Sequence, residues 1–111
     1  MPRLIRPTGR SEAVLRLVHA AAANDGETIV LDGLVAATDG EGVWPAKGEP
    51  VSLRLELPES SWMAEALTQL LVEWAGEDAV VTTTVVTTAH HTVARLSHRS
   101  SYVSLELITA A

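Results

Sequence analysis

Residues 79–94 contain no Asp, Glu, Lys or Arg, and Val80-Val81, Thr82-Thr83-Thr84, Val85-Val86 and Thr87-Thr88 within them are all β-branched. Such side chains lose rotamer freedom in a helix and pack well on a pleated strand. A long uncharged strand left at a sheet edge invites pairing with other chains, and no Lys or Pro guards this one. The run therefore predicts a strand covered along both sides. It belongs in the middle of a sheet, or else pairs across an interface between two copies, with the central position favoured.

Other strands follow from alternation. Val51, Leu53, Leu55 and Leu57 alternate with Ser52, Arg54 and Glu56, which predicts one buried and one wet face. Thr92–Leu96 and Tyr102–Leu107 read as two further strands joined by Ser97-His98-Arg99-Ser100. In the second, Val103, Leu105 and Leu107 point inward while Tyr102, Ser104 and Glu106 point out. Thr28–Leu31 and Leu34–Ala37 are β-prone runs around Asp32-Gly33, a pair that predicts a type I′ hairpin. One longer strand with a bulge at Gly33 is the alternative.

Two segments read as helices. Ser11 is a good N-cap with Glu12 in the first turn, and Val14, Leu17, Val18 and Ala21 share one helical face. Asn24-Asp25-Gly26 supplies a stop, which places a first helix over 11–24. Pro58 ends the alternating strand, and Ser60 or Ser61 caps a second helix over about 60–75 that stops at Gly76. A strand, a helix and another strand in quick succession suit a right-handed crossover between parallel strands. The order α-β-β-α-β-β-β then predicts an α+β two-layer sandwich, a mixed, mostly antiparallel sheet with both helices on one face. Its 111 residues allow one domain, residues 11–111, behind a basic arm, 1–10, that carries Arg3, Arg6 and Arg10.

Charge and composition narrow the function classes. The formal charge is −6, and twelve of the fourteen acids fall between Asp25 and Asp78 against only Lys47 and Arg54. That surface repels phosphate, so nucleic acid is not expected as a partner, even through the arm. Cysteine is absent, which removes thiol nucleophiles and thiolate metal sites. No apolar run approaches the ~20 residues of a membrane-spanning helix. Arg16 and His19 interrupt the apolar stretch that follows the arm, unlike the clean core of a secretory signal, and a cytoplasmic location is expected. Gly40-Glu41-Gly42 is acidic and opens no helix, and neither a Gly-x-Ser-x-Gly elbow nor a His-Glu-x-x-His helix is present. No cofactor is expected.

Four features stand out as candidate sites. His90, His91 and His98 are weak metal candidates, since neighbouring strand positions face opposite sides and exposed turn histidines explain them as well. Trp44 lies in a long Gly- and Pro-rich loop with Glu41, Lys47 and Glu49 around it, placed either to meet a ligand or to cap an open core. In the second helix Met63, Leu67, Leu70 and Trp74 form a core seam, Trp62 flanks it and Val72 lies opposite. A helix apolar nearly all round needs a second cover, and another subunit is the expected one. The Val/Thr run is the fourth.

The leading reading is a non-enzymatic interaction or regulatory module, a homo-oligomer or the acidic partner of a basic protein. On it, Trp62 and Val72 serve self-association and Trp44, Glu41 and Glu49 meet a ligand or partner. The rival is a small-ligand binder or minor enzyme with a pocket under the Trp44 loop. Its acid–base groups would be drawn from Asp32, Asp39, Glu41, His90, His91 and His98, and no motif stands behind any of them.

Overall fold

From Ser11 to Leu17 the chain buries Ser11, Ala13, Leu15 and Leu17 and turns Glu12 and Arg16 to solvent, the period of two that belongs to a strand. This segment is β1 (Gly9–Ala22), where the sequence predicts a helix. The computed structural model describes residues 9–39 and 44–110. Among them β1 is followed by β2 (Thr28–Thr38), β3 (Pro50–Glu56), α1 (Ser61–Gly76), β4 (Val80–Thr87), β5 (Thr92–His98) and β6 (Ser101–Ala110). The expected order α-β-β-α-β-β-β is corrected to β-β-β-α-β-β-β.

The strands close into a barrel in the order β1-β2-β3-β6-β5-β4, with β4 returning to pair with β1. Every pairing is antiparallel. A closed antiparallel barrel with one helix therefore replaces the expected two-layer α+β sandwich. The parallel crossover is absent too, because α1 carries the chain from β3 to a β4 that pairs with β1 and β5. Two three-stranded meanders, β1–β3 and β4–β6, thus join side by side at the β1/β4 and β3/β6 seams.

Two bulges shape β1 and β2. Pairing passes from Leu17↔Gly33 to His19↔Asp32, which leaves Val18 as an extra residue, and from Val14↔Ala37 to Leu15↔Val35, which leaves Ala36 as another. The first bulge switches the buried set from odd positions to Ala20. Asp32-Gly33 is not a hairpin turn but lies inside continuous β2. Glycine is required there by close packing: a Cβ on Gly33 would stand 2.9 Å from the Arg16 carbonyl oxygen.

The interior is filled by side chains, as a six-stranded barrel is too narrow for a lumen. Leu15, Leu17, Ile29, Leu31, Leu53, Leu55, Val81, Val85 and Leu96 are fully buried there. β4 is the uncharged Val/Thr run, and it turns Val81, Thr83, Val85 and Thr87 inward. Closure gives it hydrogen-bonded neighbours on both sides, so it needs no charged gatekeeper. β3 and β6 bury the alternating residues that the sequence predicts.

The loop from β2 to β3 and the helix from β3 to β4 leave opposite ends of the barrel. Trp44 in the loop is buried in the core cluster at one end. At the other end α1 packs against β1 and buries Leu71, Trp74 and Ala75. The helix exit is fixed by Leu17 N–H donating to the Ala79 carbonyl at 2.9 Å and by the Trp74 ring meeting His98 edge-on at 5.5 Å.

Candidate interaction surface

At 100° per residue, Leu67, Leu70, Leu71 and Trp74 share the side of α1 that faces the barrel. Leu71 is fully buried and Trp74 nearly so, while Leu67 and Leu70 pack against the core from its margin. Trp62, Glu65, Ala66, Gln69 and Glu73 form the opposite side and are all exposed. Trp62 is 73% exposed in the first turn and Val72 (44%) borders the same face, whereas Met63 (42%) lies on the barrel-facing side, left partly open at the start of the helix. Met63 thus stands at the edge of the seam in which the sequence places it. Trp62 and Val72, the two residues expected to serve self-association, are not covered by their own barrel, whereas Leu71 is.

The charges along α1 and its flanking residues have one sign. Glu59, Glu65, Glu73, Glu77 and Asp78 lie on or beside α1, and no Lys or Arg occurs between residues 55 and 94. An exposed indole with a charged border has the composition of a binding anchor and its rim.

The remaining candidates do not gather into one site. Trp44 is only 5% exposed and belongs to the core, and its buried Nε1 has no hydrogen-bond partner among the described residues. Glu49 is exposed beside β3, where its backbone N–H donates to the Ala46 carbonyl at 3.0 Å. Glu41 lies outside the described residues, as do Arg3 and Arg6. Arg10, assigned to the arm by the sequence, sits in β1 opposite Val86.

His90 and His91 occupy the turn between β4 and β5, where both backbone N–H groups donate to the Thr88 hydroxyl. His91 Nδ1 stands 3.6 Å from Glu106 Oε1. His98 is at the far end of β5, about 20 Å away at strand rise, and its Nδ1 donates to the Val80 carbonyl at 3.1 Å. The three histidines therefore cannot share an ion, and no group of three or more His, Cys, Asp or Glu converges among the described residues. Buried polar atoms without partners, Trp44 Nε1, Thr83 Oγ1 and His98 Nε2, are likewise scattered along the barrel.

Two carboxylates have shifted titrations. Asp25 accepts hydrogen bonds from the Glu27 N–H at 2.8 Å, the Thr28 N–H and hydroxyl, and Arg54 Nη2 at 2.9 Å. Its pKa is lowered, first by the Glu27 bond, and the arrangement ties the β1–β2 connection to β3. Glu56 is raised, chiefly by a side-chain hydrogen bond to Glu106 and by the repulsion of that carboxylate.

A second surface lies on the barrel wall and escapes sequence reading. Arg10, Val86, Val93 and Arg95 converge from β1, β4 and β5 on an open depression of about 410 Å³. The Arg95 guanidinium lies 4.0 Å from the centre of the Tyr102 ring. Outward alternation already places Tyr102 on the surface, but only the pairings Arg10↔Val86, Val86↔Val93 and Thr84↔Arg95 bring the two arginines to one wall.

No known protein family, curated protein or solved structure matches the chain. Among the described residues no helix is long and apolar enough to cross a membrane.

Proposed function

We propose that the protein is a non-enzymatic interaction module that docks a protein partner on the outer face of α1. The exposed Trp62 carries this reading. A large aromatic ring left in water is a costly surface feature, and Trp is the side chain most enriched where interfaces concentrate their energy. Val72 widens the apolar area. The acidic rim selects the partner: a segment that is both apolar and basic gains from Glu65 and Glu73, whereas two copies joined by this same face would oppose like charges.

Isothermal titration calorimetry with a synthetic Arg/Leu amphipathic peptide tests the reading. Binding should weaken more than about tenfold in Trp62→Ala and also in Glu65→Lys. It should be unaffected in Val18→Ala, which alters an exposed valine on β1. No binding by the parent chain, or equal affinity in Trp62→Ala, overturns the proposal.

A further inference from the structure

The start of β1 lies at one end of a row of exposed side chains that crosses the barrel wall. Arg10 stands opposite Val86, Val86 opposite Val93, and Val93 opposite Glu106. The Glu106 carboxyl is in turn hydrogen-bonded to Glu56 of β3. The row thus runs from β1 over β4, β5 and β6 to β3, and its side chains are exposed throughout. Val86 and Val93 line the open depression described above, and Glu56, Glu59 and Glu106 line a second, of about 280 Å³, together with Leu57 and Pro58. Ser104 borders both.

We infer that Arg3-Leu4-Ile5-Arg6 of this same chain docks along this row, with its arginines at the Glu56, Glu59 and Glu106 end, and so straps β1 to the β3/β6 seam. Residues 1–8 lie outside the described residues, and the inference is independent of the docking role proposed for α1.

Reach selects the chain's own segment. Adjacent strands are ~4.8 Å apart, so Glu106 lies about 14 Å from Arg10 and Glu56 about 19 Å. Arg6 is four residues before Arg10 and spans at most about 14 Å, and Arg3 is seven before it and spans at most about 25 Å. Arg6 therefore reaches Glu106, and Arg3 reaches Glu56 and Glu59. Leu4 and Ile5 fall between, beside Leu57 and Pro58. A segment tethered this close has an effective concentration in the millimolar range, which a second copy does not match. Gly9, with φ of +127°, departs from strand geometry where the segment joins β1.

Charge selects the same end of the row. Over β1, β4, β5 and β6, Arg10 and Arg95 are balanced by Glu12 and Glu106. The surplus begins at β3, where Glu56 and Glu59 follow Glu106 and Glu27 acts on Glu56 as well. Arg54 is taken by Asp25 at 2.9 Å, and His91 alone stands near Glu106, at 3.6 Å. The segment brings Arg3 and Arg6 and no acid. It ends on the seam where β3 and β6 pair only from Leu53 to Leu55.

Because the chain has no cysteine, a pair introduced at Ile5→Cys and Ser104→Cys reports contact directly. Under mild oxidation it should close within the monomer at least about tenfold faster than Ile5→Cys paired with Glu65→Cys on the outer face of α1. High salt, or the added changes Glu56→Gln and Glu59→Gln, should slow closure, and unchanged circular dichroism confirms folding. In the cysteine-free chain, Arg3→Glu with Arg6→Glu should move the amide resonances of Val86, Val93 and Glu106. Closure no faster than at Glu65, closure indifferent to salt and charge, disulfides formed only between chains, or unmoved resonances overturn the inference. Faster closure at Glu65 overturns it too, by placing the segment on α1. Binding of the Arg/Leu peptide at Trp62 is measured separately, so failure of the strap leaves the docking role standing.

Discussion

Gly33 occupies a buried position of β2 opposite Leu17, next to the bulge at Val18. Asp-Gly between two β-prone runs ordinarily signals a turn, because both residues tolerate positive φ. Here the backbone is extended, and the missing side chain matters for a different reason: the β1 carbonyl of Arg16 fills the space where a Cβ would be. Gly33→Ala should therefore destabilise the barrel by about 1–3 kcal/mol, read from the midpoint of urea unfolding at constant m. An unchanged midpoint would show that β1 can yield at this point. Trp62 is the contrasting residue. Its angular position was legible from helical geometry, but its exposure depended on where the barrel lay.

At the scale of elements, α1, β3 and β6 were legible because their apolar residues recur at one period, with Pro or Gly also marking the limits of α1 and β3. β1 was not. Val14, Leu15, Leu17, Val18 and Ala20–Ala22 place apolar groups on both sides of a strand, and Val14, Leu17, Val18 and Ala21 also line up at helical spacing. The bulge at Val18 shifts the buried set by one position, so no single period fits the whole segment. Strong helix formers could not decide the matter, since pairing with both β2 and β4 outweighs intrinsic propensity. For α1 the two faces predict opposite outcomes in chemical denaturation. Leu71→Ala should cost about 2–5 kcal/mol by opening a cavity under the helix. Trp62→Ala should change stability by no more than about 0.5 kcal/mol. Equal losses in the two variants would contradict this division of the helix.

Closure is the property of the whole molecule. It gives β4 neighbours on both sides, leaves no bare edge and fills the interior with side chains. It also brings Glu56 of β3 against Glu106 of β6 beside the seam that completes the barrel. Because Glu56 is raised in the folded chain, its protonated form favours folding. That contribution is fully present below the ordinary carboxylate range and is lost as pH rises through the raised value. Glu56→Gln removes the repulsion, so it should melt at a higher temperature than the parent at neutral pH. The gap should narrow in acid, and a gap that stays constant with pH would separate this carboxylate pair from barrel stability.

The amino-acid sequence by itself determined the local periods: which residues alternate, where α1 starts and stops, that the Val/Thr run needs cover on both sides, and that the acids cluster in the middle of the chain. Those properties belong to neighbouring residues and need no partner. Which strand lies beside which was decided only by the tertiary structure. Pairing joins residues as distant as Gly9 and Thr87, or Leu53 and Ala110, and depends on bulges that no local pattern marks. The candidate surfaces divide in the same way. The Trp62 face is written along one helix, whereas the Arg10–Arg95 wall exists only once β1, β4 and β5 are laid side by side.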